Sequence, residues 1–145
     1  MVKKLFEKYK ENQRKIRDLF NRKEVVVAYL FGSLVKKEIS PLSDIDLAVY
    51  LDERIPRNRQ NEVHMMLLNE LIAILGDDLD LILMNSADLL MNFNIIKEGE
   101  IIYQRSETEK VMIESEIMDR FMDMRYYHKR HVDVTLDRMA KEGLK

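Results

Sequence analysis

Two carboxylates separated by one residue, Asp44 and Asp46, stand at the head of an apolar run, Ile45 to Leu51. On a β-strand, side chains two apart share a face, so Asp44 and Asp46 project together while Ile45, Leu47 and Val49 face the other way. Adjacent carboxylates repel, and a divalent cation with oxygen ligands is their natural neutraliser. Mg²⁺ suits a site with few carboxylates that leaves room for waters or phosphate oxygens. Ahead of this pair, with ten residues between Ser33 and Asp44, a second apolar run ends in Phe31-Gly32-Ser33. Gly32 lets the backbone approach a phosphate closely, the turn after it can aim N–H groups at that phosphate, and Ser33 adds a hydroxyl. Singly, a Gly-Ser turn and an Asp-x-Asp strand end are ordinary features. Together, as strand, Gly-Ser, fixed gap and Asp-x-Asp strand, they point to metal-assisted phosphate chemistry.

The elements that must position these residues follow from periodicity. Residues 3–22 carry Leu5, Phe6, Tyr9, Ile16, Leu19 and Phe20 at helical spacing and predict an amphipathic helix lying as a lid on the core. Glu24 to Phe31 reads as a buried strand ended by Gly32, and Ile45 to Leu51 as a second strand. Asp52 to Asn58, with Pro56, forms a loop, and residues 59–75 form a helix closed by Gly76. Leu79 to Met84 gives a third strand. Ser86 is placed to cap a short helix of about 87–97 that Gly99 terminates, and Ile101 to Tyr103 adds a small strand. Ser106 and Glu109 stand in a capping-box relation and open a long helix over about 107–141, ending near Gly143. Strands alternating with helices predict an α/β (α+β) fold, a sheet with helices packed on it.

The chain has 145 residues, which fits one domain, 1–145. Its hydrophobic fraction of 46% can bury a core, and its 34% charged residues are of mixed sign. A net charge of −2 supplies no global basic field, so nucleic acid is not the expected partner. Zero cysteines exclude disulfides and thiolate metal sites. With no signal-peptide core at the start and no apolar run near the roughly 20 residues that span a bilayer, a cytoplasmic protein without membrane contact is expected.

The run from Gly32 to Asp46, GSLVKKEISPLSDID, resembles the Gly-Ser-x10-Asp-x-Asp signature of the DNA polymerase β-like nucleotidyltransferases. The LFGS…SDIDLAVYL context and short length are similar to the minimal members, which include antitoxins encoded beside HEPN-domain ribonuclease toxins. The resemblance covers about residues 24–103 and implies a mixed sheet flanked by helices, with N- and C-terminal helices added. It also implies a third carboxylate on a neighbouring strand, which Asp80 matches; Asp77 and Asp78 are the weaker competitors, read as a solvated turn. Two Mg²⁺ ions held by Asp44, Asp46 and Asp80 would then assist transfer of AMP from ATP, with Gly32, Ser33 and Lys36 on the phosphates. By the same resemblance the acceptor is a tyrosine of a partner HEPN toxin, in a hetero-oligomer. Two alternatives stand beside this: an antitoxin that only occludes its partner, and transfer to a small molecule, for which such enzymes usually carry an extra helical domain. The loop departs from the family's usual Arg-Ala-Arg-Gly: here it is Leu34-Val35-Lys36-Lys37. Lys36 keeps a charge but not the bidentate fork of arginine.

Other features attract attention and read as structural. Arg125 and His131 match the spacing of a HEPN ribonuclease motif, but six positions apart on one helix they do not face the same way. The patch of Arg125, His128, Lys129, Arg130 and His131 reads as an exposed helix face able to touch an acidic partner or a nucleotide. His64 reads as a core-edge or surface residue rather than a ligand. Met112, Met118, Met122, Met124 and Met139 on the last helix read first as core packing and second as an interaction surface.

Overall fold

The computed structural model describes residues 2–31 and 45–142. The N-terminal segment forms two helices rather than one, α1 (Val2–Glu11) and α2 (Gln13–Arg22), broken at Asn12. The Asn12 side-chain amide donates to the Lys8 carbonyl at 2.8 Å, the kind of local bond by which Asn competes with helix continuation. The amphipathic spacing still delivers its apolar face, since Tyr9, Ile16, Leu19 and Phe20 are buried. Glu24, at φ 58, turns the chain into the first strand.

Strands β1 (Val25–Phe31), β2 (Ile45–Leu51), β3 (Leu79–Leu83) and β4 (Glu100–Gln104) form one sheet of order β3-β2-β1-β4. β1 runs antiparallel to both β2 and β4, whereas β2 and β3 are parallel. A parallel pair requires a crossover, and α3 (Arg57–Leu75) supplies it. Gly76 ends that helix at φ 102, a conformation open to glycine and costly for other residues.

The two faces of the sheet carry two cores. On one, Ile45, Leu47, Val49 and Leu51 of β2 and Leu79, Leu81 and Leu83 of β3 pack with α2 and with Leu67, Leu71 and Leu75 of α3. On the other, Val27, Tyr29, Ala48 and Met84 pack with Ile95 of α4 (Leu89–Glu98) and Ile117 of α5 (Glu107–Glu142). The cap of α4 is Asp88, not Ser86: its carboxylate accepts the Met91 N–H at 2.7 Å. Ser86 lies in the turn before it.

α5 opens with half of a capping box. Ser106 Oγ accepts the Glu109 N–H, but the Glu109 carboxylate turns to Arg105 instead of back to the cap. The first turns of α5 lie on the sheet and α4, where Phe121 stacks on Phe93 with ring centroids 3.8 Å apart, a contact worth about 1 kcal/mol. Beyond Phe121 the helix is almost wholly exposed. Met112, Met118, Met122, Met124 and Met139 are therefore not core residues, against the first reading of them; their exposures run from 37% to 66%. The amphipathic period continues past the end of the surface it could cover. No helix among the described residues is long and apolar enough to cross a membrane.

Candidate active site

The register of the sheet brings the carboxylates together. Phe31 at the end of β1 pairs with Asp46, and Asp46 pairs in turn with Asp80 on β3, so the three lie in one row across one end of the sheet. Neighbouring strands are about 4.8 Å apart, which makes Asp46 and Asp80 immediate neighbours. Parity sets their face. Ala48 and Tyr50 follow Asp46 by two and four, Ile82 follows Asp80 by two, and all three belong to the α4/α5 core, so both carboxylates point to that side. Asp46 is half-buried and Asp80 exposed, an arrangement open to a ligand at the rim.

Asp78 is separated from this pair. Its carbonyl accepts the Ile45 N–H at 3.0 Å, which starts the β2–β3 ladder, and its side chain is exposed before the strand begins. Gly32, Ser33, Lys36, Lys37 and Asp44 lie outside the described residues. Among the described residues no group of three potential metal ligands comes together; Asp46 and Asp80 make two, and Asp44 is the next residue in chain order before Ile45.

The same end of the sheet carries further features, of which the sequence alone singles out only Gly99, as a helix end. Leu30 pairs with Glu100, so α4 finishes there and Gly99 must fit closely: a Cβ at this position would lie 2.4 Å from the Ile95 carbonyl and 3.4 Å from that of Leu30. Lys97, in the last turn of α4, is exposed with its ammonium 5.9 Å from the Phe93 ring centroid, so a cation stands on the carboxylate side of the sheet. Two residues from Phe31 on the same face, Tyr29 is buried and its hydroxyl donates to Glu114 of α5 at 2.7 Å. Burial, then the bond to Glu114, raises the Tyr29 pKa far above the ordinary phenol value, so the hydroxyl remains a donor.

The strongest charge cluster lies at the opposite end. Asp52 follows β2, six residues from Asp46 and hence about 20 Å along the strand. It is 8% exposed and accepts bonds from Arg54 and Arg105, while Arg105 also binds Glu109. The Arg54 side chain and backbone N–H, ahead of Arg105, hold the Asp52 carboxyl well below the usual carboxylate range; Arg105 likewise lowers that of Glu109. Arg54 is 87% exposed and its pair is screened by solvent, so the partner that secures Asp52 is Arg105, at 28%. A cavity of about 260 Å³ beside this cluster, lined by Tyr50, Asp52, Arg105 and Glu116, is therefore remote from the carboxylate row. The cluster ties the start of α5 to β2. His64 is structural too, its Nε2 lying 2.7 Å from the Leu81 carbonyl.

A sheet that sets Asp46 beside Asp80, at the end where β1 leads in sequence to Gly32-Ser33, is the arrangement the Asp-x-Asp signature calls for. The family model for polymerase beta nucleotidyltransferases matches residues 14–108. The chain belongs to that family. The match spans α2 through the start of α5, so it includes the whole sheet of this nucleotidyltransferase. Its fold is similar to a chain of a toxin-antitoxin complex with AMP-PNP, at TM-score 0.66 and 20% identity over 86% of this chain and 98% of that one. It is also similar to a chain of the complex between a tri-AMPylated HEPN toxin of Shewanella oneidensis and MNT antitoxin, at TM-score 0.60 and 19% identity, covering 88% and 98%. A third likeness, to a mutant MntA-HpeT toxin-antitoxin complex, has TM-score 0.67 and 19% identity, covering 86% and 98%. At such identities the likeness is one of fold. No curated protein matches the nucleotidyltransferase chain significantly.

Proposed function

We propose that this nucleotidyltransferase moves AMP from ATP onto a protein hydroxyl, a tyrosine of a partner HEPN toxin, and thereby acts as an antitoxin. The observation that carries the reading is the row Phe31, Asp46, Asp80, which sets two carboxylates side by side next to the strand that leads into Gly32-Ser33. The solved complexes similar in fold support the choice of acceptor, since one of them pairs an AMPylated HEPN toxin with an antitoxin.

Asp46 and Asp80, with Asp44 two residues before Asp46 in sequence, would hold Mg²⁺, because hard carboxylate oxygens suit an ion that keeps waters and phosphate oxygens. When bound, Mg²⁺ neutralises triphosphate charge and lowers the pKa of the acceptor hydroxyl. Gly32 and Ser33 hold the β- and γ-phosphates, and Lys36 adds positive charge beside them. The tyrosine oxygen forms its bond to the α-phosphorus as the bond from that phosphorus to the β-phosphate oxygen breaks. Pyrophosphate departs, and Asp80 accepts the hydroxyl proton. Most of the acceleration comes from positioning and charge neutralisation. The reaction takes place in the cytoplasm, within one domain that spans the chain.

Incubation of the chain with α-labelled ATP, Mg²⁺ and a HEPN-domain protein from the same source tests the reading. Label should appear on a tyrosine of that protein and should be lost with Asp46→Ala. Transfer by Asp46→Ala at the wild-type rate would refute catalysis at this row. Neutralisation of the toxin by Asp46→Ala without any transfer would instead support an antitoxin that acts by occlusion.

A further inference from the structure

Among the described residues, the distal half of α5 has no surface of its own domain to rest on. From Met122 to Lys141 every residue except Thr135 is exposed. From one turn before this stretch onward, Met118, Met122, Arg125, Lys129, Val132, Leu136 and Met139 recur at alternating steps of four and three, and all seven are exposed. This is the heptad spacing of a helix-pairing seam, about 32 Å long at 1.5 Å per residue. The five apolar members range from 37% exposed at Met118 to 60% at Met139.

The order of residues along the seam identifies what covers it. Both ends are apolar, and the two central positions are cations. No carboxylate occurs between Asp123 and Asp133. The ion pairs within the helix, Arg120 with Glu116 and Lys141 with Asp137, flank this centre and leave Arg125 and Lys129 out. A second copy is a poor occupant. Antiparallel pairing places Lys129 on Lys129 and buries both Arg125 side chains against Val132; parallel pairing sets Arg125 on Arg125 and Lys129 on Lys129. Both arrangements set Lys129 on Lys129 within the seam, and like charges across an interface cost affinity.

We infer that the distal half of α5 is a docking surface for a different protein, one presenting a helix with two carboxylates about one turn apart between apolar positions. The identity of that protein rests on the antitoxin reading: it is the HEPN partner, held by this seam while its tyrosine meets the row at Asp46 and Asp80.

Calorimetric titration of the purified HEPN-domain protein into the full chain tests this, with circular dichroism confirming that each variant folds. Arg125→Glu with Lys129→Glu should weaken binding by about 100-fold or more, the usual effect of disrupting a desolvated charge pair. Met122→Ala with Leu136→Ala should weaken it by about tenfold or more. Arg138→Glu, on the opposite face of the helix, should leave it unchanged. Tight binding by the doubly reversed variant would overturn the docking surface while leaving the antitoxin reading in place. Failure of the wild-type chain to bind the HEPN protein would overturn that reading and, with it, the partner named here. A dimer of the wild-type chain alone, in sedimentation, that the reversal alters would assign the seam to a second copy and overturn the inference.

Discussion

Replacing Asp80 with asparagine should raise stability in the absence of Mg²⁺ and abolish catalysis. The register sets Asp80 beside Asp46 on the parallel neighbour, so the two carboxylates carry like charge about 5 Å apart. At that separation the repulsion is about 0.8 kcal/mol in water and about 3 kcal/mol at an effective dielectric of about 20. Asp80 is exposed and Asp46 half-buried, so the value lies towards the first figure, near 1 kcal/mol. Asparagine keeps the shape and removes the charge. Thermal unfolding in EDTA should therefore show the variant about 3 °C above the wild type. With Mg²⁺ at ten times its dissociation constant, ligand linkage gives the wild type about 1.4 kcal/mol that the variant largely forgoes, and the order should reverse. AMP transfer should fall about 1000-fold, the loss typical of a group that stabilises developing charge. Equal activity, or a midpoint for Asp80→Asn below wild type in EDTA, would refute the placement of Asp80 in a carboxylate pair.

Gly99→Ala should destabilise the fold by about 2 kcal/mol in denaturant unfolding, because its Cβ would meet the Ile95 carbonyl at 2.4 Å with backbone on both sides. Arg105→Met should cost about 2 kcal/mol at neutral pH, because the nearly buried Asp52 then keeps only the solvent-screened Arg54 as a cationic partner. The same pair fixes an acid limb. The Asp52 and Glu109 carboxyls are depressed, so their contribution is complete above the ordinary carboxylate pKa of about 4 and is lost progressively as pH falls below it. A pH series of unfolding midpoints should show Arg105→Met losing part of that dependence. Lys36→Arg should lower the KM for ATP several-fold by restoring a bidentate phosphate fork, with kcat little changed; an unchanged KM would mean that residue 36 does not reach the nucleotide.

The parts of the molecule that the sequence revealed are those in which local pattern and tertiary need coincide. Alternation in Ile45 to Leu51 puts Ile45, Leu47 and Val49 on one face and Asp46 on the other, and the structure keeps that division. Asp80 was reached only through the family resemblance, since nothing in LDLIL says which strand it joins; the parallel β2–β3 pairing that sets it against Asp46 is a long-range choice. The break at Asn12 is invisible to periodicity because apolar spacing runs through it unbroken, and a side-chain bond to Lys8 decides it. Asp88 displaced Ser86 as the cap because both lie before the same helix and only the backbone bond to Met91 separates them. Tyr29 and Lys97 carry no motif, and Gly99 shows in the sequence only as a helix end. Their positions around the carboxylate end follow from strand register and from where α4 stops.

The methionines of α5 expose a limit of periodicity as evidence. An apolar stripe reports that a face will be covered, not by what. In its first half the stripe of α5 meets α4 and the sheet, where Ile117 is buried and Phe121 stacks on Phe93. In its second half the same chemistry continues with none of the described residues beneath it. The Asp52, Arg105 and Glu109 cluster fixes the root of this helix, and the Tyr29 bond to Glu114 ties its next turns to the strand that ends at Phe31. Whatever binds the distal half is thus mechanically connected to the end of β1 that leads into Gly32-Ser33. Displacing the root, with Arg105→Met, should accordingly weaken partner binding less than Arg125→Glu with Lys129→Glu does, yet reduce the rate of transfer within the bound complex. A variant that binds poorly but, when saturated, transfers AMP at the wild-type rate would separate docking from catalysis and refute that coupling.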